Sequence, residues 1–190
     1  LDGPPSLHDH YRTTAAGRGS HEAAMSGIDR LRRHGVEFNT LTLVSDVNAS
    51  KPGEVYRYLV ENGFLFHQYI PCVEFDESGK LRPFSIDGEL WGDFLCGIYD
   101  LWIAGDTRRV SVRLFDSILN ALVDGRPSIC HMDGDCRQYF AVEYNGDVFP
   151  CDFYVERPLK LGNVLDHSWQ DLWDRPAFVS FGRRKSEQDP

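Results

Sequence analysis

Apolar positions first recur at helical spacing. Ala24, Ile28 and Leu31 follow Ser20, and Gly35 comes after His34, so the pattern predicts a helix from a Ser20 cap to His34. Val36 to Val44, rich in Phe, Thr and Leu, predicts a strand. Pro52 opens a second helix carrying Val55, Tyr58 and Leu59, with Gly63 as its stop. Phe64 to Ile70 predicts another strand, too apolar for a sheet with one wet face. Helix, strand, helix, strand with short connections marks a parallel α/β layer, here the last part of one. Residues 1–18, rich in Gly, Pro and His, read as a loop.

Past Ile70 the pattern changes. Pro71 to Ile86 reads as a long loop, followed by helical stretches over Asp87–Ala104 and Val112–Val123. Tyr139 to Tyr144, the turn Asn145-Gly146 and Asp147 to Phe149 predict a β-hairpin. A last helix, interrupted near Pro176, is expected over Ser168–Phe181, with Trp169 and Trp173 at i, i+4 packing it onto the hairpin. Trp91 and Trp102 read as core or interface aromatics. A domain boundary is expected near residues 124–130, giving domains of residues 1–126 and 127–190.

Hydrophobic residues make up 42% and charged residues 26% of the 190, ordinary for a globular chain. Lys+Arg 20 against Asp+Glu 29 leaves a net charge of −9, which argues against nucleic-acid backbone binding. No apolar run is long enough for a membrane span, and no secretory leader is evident, so a cytoplasmic setting is expected. The chain begins Leu1-Asp2-Gly3 without an initiating Met and ends without a clear stop, so both ends are expected to be cut from something longer. The seven histidines form no metal-spaced pair except His8 and His10, and all read as structural or solvated.

The five cysteines are odd in number and argue against a disulfide framework. Cys96 reads as a small buried hydrophobe, and Cys72, at a strand's C-terminal end, as a lining residue. Cys130, Cys136 and Cys151 lie in one stretch, Cys130-x5-Cys136-x9-Gly146-x4-Cys151, with the hairpin between the last two. The hairpin would bring Cys136 and Cys151 together at its base. Such thiolates suit zinc or an iron–sulfur cluster, and a fourth ligand must come from elsewhere. His131, Asp135 and Asp152 are the nearby alternatives.

Leu1-Asp2-Gly3-Pro4 followed by His8-Asp9-His10-Tyr11-Arg12 resembles the mid-barrel segment of radical S-adenosylmethionine enzymes, lacking only the Ser of their "SLDGP". His34 to Val44 and Gln68 to Glu74 are similar to two strands of the anaerobic sulfatase-maturating enzymes. The Cys136-x9-Gly146-x4-Cys151 spacing, continuing into Asp152-Phe153-Tyr154-Val155, resembles the opening of their SPASM domain, which carries auxiliary [4Fe–4S] clusters. The likeness runs along essentially the whole chain.

The resemblance implies an α/β fold: the second half of a partial (β/α)6 barrel, then a truncated SPASM domain with its β-hairpin. Arg12 would lie near S-adenosylmethionine, and Val73 would pack on its adenine. Cys130, Cys136 and Cys151 would ligate an auxiliary cluster, and Asp152 would be the general base. The implied reaction oxidises a cysteine or serine of a sulfatase polypeptide to Cα-formylglycine, with an electron donor such as flavodoxin or ferredoxin as partner and the second electron leaving through the auxiliary clusters. The loop 71–88 and the hairpin face would wall a peptide groove.

The chain departs from the family where its motifs Cys-x3-Cys-x2-Cys and Cys-x2-Cys-x5-Cys-x3-Cys would be, since neither lies within it. The isolated chain is therefore expected not to turn over. Two other readings stay open: a different SPASM-type peptide-modifying radical enzyme, and a non-catalytic module using the three cysteines for structural zinc.

Overall fold

The computed structural model describes residues 1–188. The chain divides into two compact units, Leu1–Asp116 and the remainder from Ser117.

The first unit opens with α1 (Pro5–Tyr11) and α2 (His21–Arg33). Then come β1 (Thr40–Val44), α3 (Pro52–Glu61), β2 (Phe66–Pro71), α4 (Gly88–Ile103) and the two-residue β3 (Ser111–Val112). Its three strands form a parallel sheet in the order β1-β2-β3, with Thr40 opposite His67 and Phe66 opposite Ser111. Residues 1–18 are not one loop, because Pro5 supplies the fixed φ of a first helical position and Leu7 and His8 of α1 turn into the interior. Ser20 does not cap α2 with its side chain, and its hydroxyl donates to Arg12 O over 2.7 Å.

β1 is shorter than the apolar run suggests, pairing with β2 only from Thr40 onward. Its inward residues are Thr40, Thr42 and Val44, whereas Leu41 faces out. The two buried hydroxyls are satisfied: Thr40 donates to Phe66 O (3.1 Å) and Thr42 to Leu1 O (2.7 Å). His67 of β2 is likewise buried, with Nε2 2.9 Å from Phe64 O and Nδ1 3.0 Å from the Tyr69 hydroxyl.

α4 begins at Asp87, whose carboxylate accepts from Leu90 N–H (2.9 Å). Phe94, Ile98 and Trp102 recur every four residues and form its buried stripe. Cys96 lies off that stripe and is exposed, contrary to the expected buried site. Gly97 faces α3, and a Cβ there would stand 2.5 Å from Pro52 Cγ. Trp102 Nε1 donates to Val110 O (2.7 Å), closing the turn into β3. β3 falls where Val112 would have opened a helix, and α5 (Arg113–Asp124) starts one residue later. The division between the two units falls within α5.

The second unit holds a three-stranded antiparallel sheet, β4 (Ala141–Val142), β5 (Asp147–Phe149) and β6 (Gly162–Asn163). Gly146 sits in the β4–β5 connection at φ +84°, a conformation that favours glycine. Pro176 separates two helices rather than interrupting one, α6 (Trp169–Trp173) and α7 (Pro176–Gln188). A reciprocal capping box of Ser168 and Asp171 starts α6. Val148, Leu161, Leu172 and Phe178 form the core. Trp169 and Trp173 contact Phe140 at ring-centroid distances of 5.9 and 5.7 Å, and both keep much of their surface in solvent. Among the described residues, no helix is long and apolar enough to cross a membrane.

Candidate functional site

β1 and β2 run parallel, so Val44 and Pro71 end at the same side of the sheet. Ligands of parallel sheets gather beyond such strand ends. A cavity of about 200 Å³ opens there, lined by Asp2, Tyr11, Arg12, Ser45, Cys72 and Glu74 together with Leu7, Leu43, Asn48 and Phe84. Cys72 is buried in its wall, as a lining residue should be. Burial, and then the nearby Glu74 carboxylate, push its thiol pKa up, so it rests protonated.

Arg12 belongs to this cavity, and Asp2 holds it. Asp2 Oδ2 accepts from Arg12 Nε over 2.8 Å, and Oδ1 accepts from Leu43 N–H over 3.0 Å. The Asp2 side chain is 11% exposed, so the guanidinium beside it and the amide together offset its desolvation. The Arg12 side chain is 48% exposed, and its Nε is the atom committed to Asp2. Asn48 ties the same corner: its Nδ2 donates to Asp2 O (3.0 Å) and Leu43 O (2.9 Å), and its Oδ1 accepts from Ser45 N–H (2.8 Å).

Val73 lines a different cavity, of about 270 Å³, with Phe75, Leu81, Ile86 and Trp91. The two cavities part at Cys72 and Val73, neighbours that face opposite ways along extended chain. Arg12 and Val73 are thus on separate walls of one strand end. The loop after β2 helps to shape the second cavity through an isolated antiparallel bridge between Phe75 and Leu81.

The other candidate residues lie in the second unit. Ala141 pairs with Phe149 and Val142 with Val148. Continuing that register two residues outward brings Tyr139 opposite Cys151, at the base of the strand pair. Tyr139 Oη donates to Asp152 Oδ1 (2.9 Å) and stands 3.7 Å from Cys130 Sγ. The single phenol proton is spent on Asp152, so toward Tyr139 the Cys130 thiol is the donor. The Cys151 thiol also donates to Asp152 Oδ1, over 3.5 Å. Tyr139 and Asp152 thus join Cys130 to Cys151. Burial first, then the bonds to Cys130 and Asp152, drive the Tyr139 pKa far up, and burial raises that of Cys151.

Cys136 is placed by its backbone. Its N–H donates to Gly182 O of α7 (3.2 Å), next to the Asp135–Arg137 ion pair (2.8 Å). Three partly exposed thiols are the soft donors that an iron–sulfur cluster takes, so the donor chemistry fits. The shell is not closed: among the described residues, no three His, Cys, Asp or Glu side chains converge closely enough to hold a metal ion. Ligation requires Cys130 and Cys151 to give up their protons and, with them, the bonds just described.

Sequence reasoning missed Asp2, Asn48 and Tyr139 as parts of these sites. Asp2 was in plain view inside Leu1-Asp2-Gly3, and Tyr139 could have been found by counting register outward from Asn145-Gly146. Asn48 had no comparable signal.

Residues 130–190 match the SPASM family model, an iron-sulfur cluster-binding domain. The chain is 33% identical, over its whole length, to the serine-type anaerobic sulfatase-maturating enzyme of Bacteroides thetaiotaomicron, covering 50% of that protein. It is 34% identical, over 92% of its length, to the cysteine-type anaerobic sulfatase-maturating enzyme of Clostridium perfringens, covering 48% of that one. The chain therefore spans about half the length of the curated relatives it matches. Among solved structures, native anSMEcpe with bound AdoMet aligns over 97% of this chain and 51% of its own, with a TM-score of 0.88 and 30% identity. Native anSMEcpe with bound AdoMet and Kp18Cys peptide aligns over 97% of this chain and 52% of its own, with a TM-score of 0.88 and 31% identity. By sequence along its whole length, and by fold, the chain is similar to the anaerobic sulfatase-maturating enzymes, and its residues 130–190 match the SPASM iron-sulfur cluster-binding domain.

Proposed function

We propose that this chain is part of an enzyme that oxidises a cysteine or serine of a sulfatase polypeptide to Cα-formylglycine. The observation that carries the reading is Asp152, which directly follows Cys151 and has Oδ1 tied to Tyr139 and Cys151. Its Oδ2 is the oxygen left to take a proton from the substrate thiol or hydroxyl. Residues 1–126 would be the barrel half and residues 127–190 the auxiliary-cluster domain. S-adenosylmethionine, cleaved at a cluster outside this chain, would supply the radical that abstracts a Cβ hydrogen, and the auxiliary [4Fe–4S] cluster would take the second electron.

This chain's own residues bind and orient. Arg12 offers the guanidinium edge not used by Asp2 to the cofactor's carboxylate or hydroxyls. Val73 gives an apolar wall to its adenine. Cys130, Cys136 and Cys151 would hold the auxiliary cluster, with a fourth ligand from beyond them. The substrate would be a peptide, and a flavodoxin or ferredoxin would be the electron donor.

The test is anaerobic. The complete polypeptide containing this chain, loaded with iron, sulfide and S-adenosylmethionine, is expected to turn the Cys or Ser of a sulfatase-derived peptide into an aldehyde. Mass spectrometry after hydrazine trapping reads the product. Asp152→Asn is expected to keep its iron and lose the aldehyde. A fully loaded protein that forms no aldehyde, or crosslinks the peptide instead, would overturn the reading.

A further inference from the structure

We infer that His8 is a positioning residue for Arg12, acting as a neutral imidazole protonated on Nε2 that holds both partners of the Asp2–Arg12 pair. The inference rests on the reading that the cavity at the strand ends is the ligand site.

Proton counting fixes the tautomer. The Ser20 hydroxyl has one proton and gives it to Arg12 O over 2.7 Å. Toward His8 Nε2, 3.2 Å away, Ser20 Oγ can therefore only accept, so Nε2 carries hydrogen. On the other side, Asp2 N–H donates to His8 Nδ1 over 3.2 Å, so Nδ1 must be bare. Both ring nitrogens are committed in opposite senses, and the ring is buried.

The same residue reaches Arg12 from two directions, by its backbone carbonyl and by its ring through Ser20. Arg12 N–H donates to His8 O over 3.0 Å. Arg12 O accepts from the Ser20 hydroxyl and, over 3.0 Å, from Ser20 N–H. The His8 ring thus fixes the Arg12 carbonyl through Ser20 and fixes Asp2 by its amide, while the bond from Arg12 N–H goes to the His8 main-chain carbonyl and does not depend on the ring. A long arginine side chain gives up much rotamer freedom when held, and a rooted main chain lowers what the ligand must supply.

A protonated ring would set Nδ1–H against Asp2 N–H. The Asp2 carboxylate, 3.8 Å from Nδ1, and Asp9 pull toward that cation; the Leu1 amino group and His21 oppose it. Burial is the largest influence and holds the His8 pKa below its ordinary value.

Nitrogen NMR on the 190-residue chain tests this. At neutral pH, His8 is expected as the Nε2–H tautomer, and Arg12 Nε–H, bonded to Asp2, as a slowly exchanging signal. His8→Ala and Ser20→Ala should each speed that exchange by about fivefold or more, one hydrogen bond's worth. The double variant should be no faster than His8→Ala. Binding of S-adenosylhomocysteine should weaken in step, and His8→Ala should cost nothing further in an Arg12→Ala background. An Nδ1–H tautomer, an imidazolium, or Arg12 exchange untouched by Ser20→Ala would overturn the inference, even if His8→Ala failed to fold. If the unaltered chain did not bind S-adenosylhomocysteine, the ligand reading would fail while tautomer and exchange still decided the role of His8.

Discussion

The Tyr139 hydroxyl donates to Oδ1 of Asp152 over 2.9 Å, and that oxygen also accepts from the Cys151 thiol. Tyr139→Phe removes one of these two donors and, with the same oxygen, the acceptor of the Cys130 thiol. Loss of one hydrogen bond to a carboxylate, about 1–2 kcal/mol, corresponds to a fall of about tenfold in aldehyde formation by the complete polypeptide. Iron content should be unchanged. Initial rates and an iron assay on the same preparation check both halves of the expectation.

Gly182 of α7 lies directly against the Cys136 loop. A Cβ there would lie 2.3 Å from Asp135 Oδ1 and 2.5 Å from Arg137 Cγ, while Gly182 O receives the Cys136 amide. Gly182→Ala must push that loop away. The expected cost is about 1–3 kcal/mol of stability in the second unit, read by denaturant unfolding, with lower iron uptake on reconstitution.

His8, His21 and His67 are each held below the ordinary histidine value of 6.5, burial being the largest cause in all three. Above 6.5 they are neutral in the folded and unfolded chain alike. As pH falls below 6.5, the unfolded chain takes up protons that the fold refuses, so stability falls until the folded pKa values are reached. Each group adds a slope of up to about 1.4 kcal/mol per pH unit. Asp106 and Asp135, held below 3.8 chiefly by their bonds to Arg109 and Arg137, add a separate loss below that value. Urea midpoints from pH 7.5 to 4.5 should fall steadily, and His67→Gln should flatten the fall.

Much of the first unit was legible in punctuation. Gly35 and Gly63 stand at positive φ just past α2 and α3, where a glycine stop belongs. Asn145-Gly146 lies between β4 and β5 for the same local reason. Tertiary partners decided the rest. Thr40 and Thr42 point inward because backbone carbonyls await their hydroxyls, which no hydrophobic pattern reveals. β3 is only Ser111–Val112 and exists because β2 offers it an edge. Spacing grouped Cys130, Cys136 and Cys151, but it was silent about Tyr139, whose place depends on strand register. Residues 5–11 hid a helix because histidines and prolines mask its single buried stripe.

The isolated chain, treated anaerobically with iron and sulfide, is expected to take up some iron through Cys130, Cys136 and Cys151. It should form no 5′-deoxyadenosine from S-adenosylmethionine, because the motif Cys-x3-Cys-x2-Cys is not within it. Chromatography of the nucleosides after addition of a strong reductant decides this. Changing Cys130 and Cys151 together to Ser should abolish the thiolate-to-iron absorbance.

Cys96 stands on the outer side of α4, exposed, where a buried thiol was expected. In air, such a sulfur meets its counterpart on another molecule long before a buried thiol such as Cys72 does. Handling alone would then yield covalent pairs that mimic an oligomer, and a maleimide dye would mark α4 first. Replacing this one atom of sulfur by oxygen leaves the buried stripe of α4 intact and removes the pairing through α4.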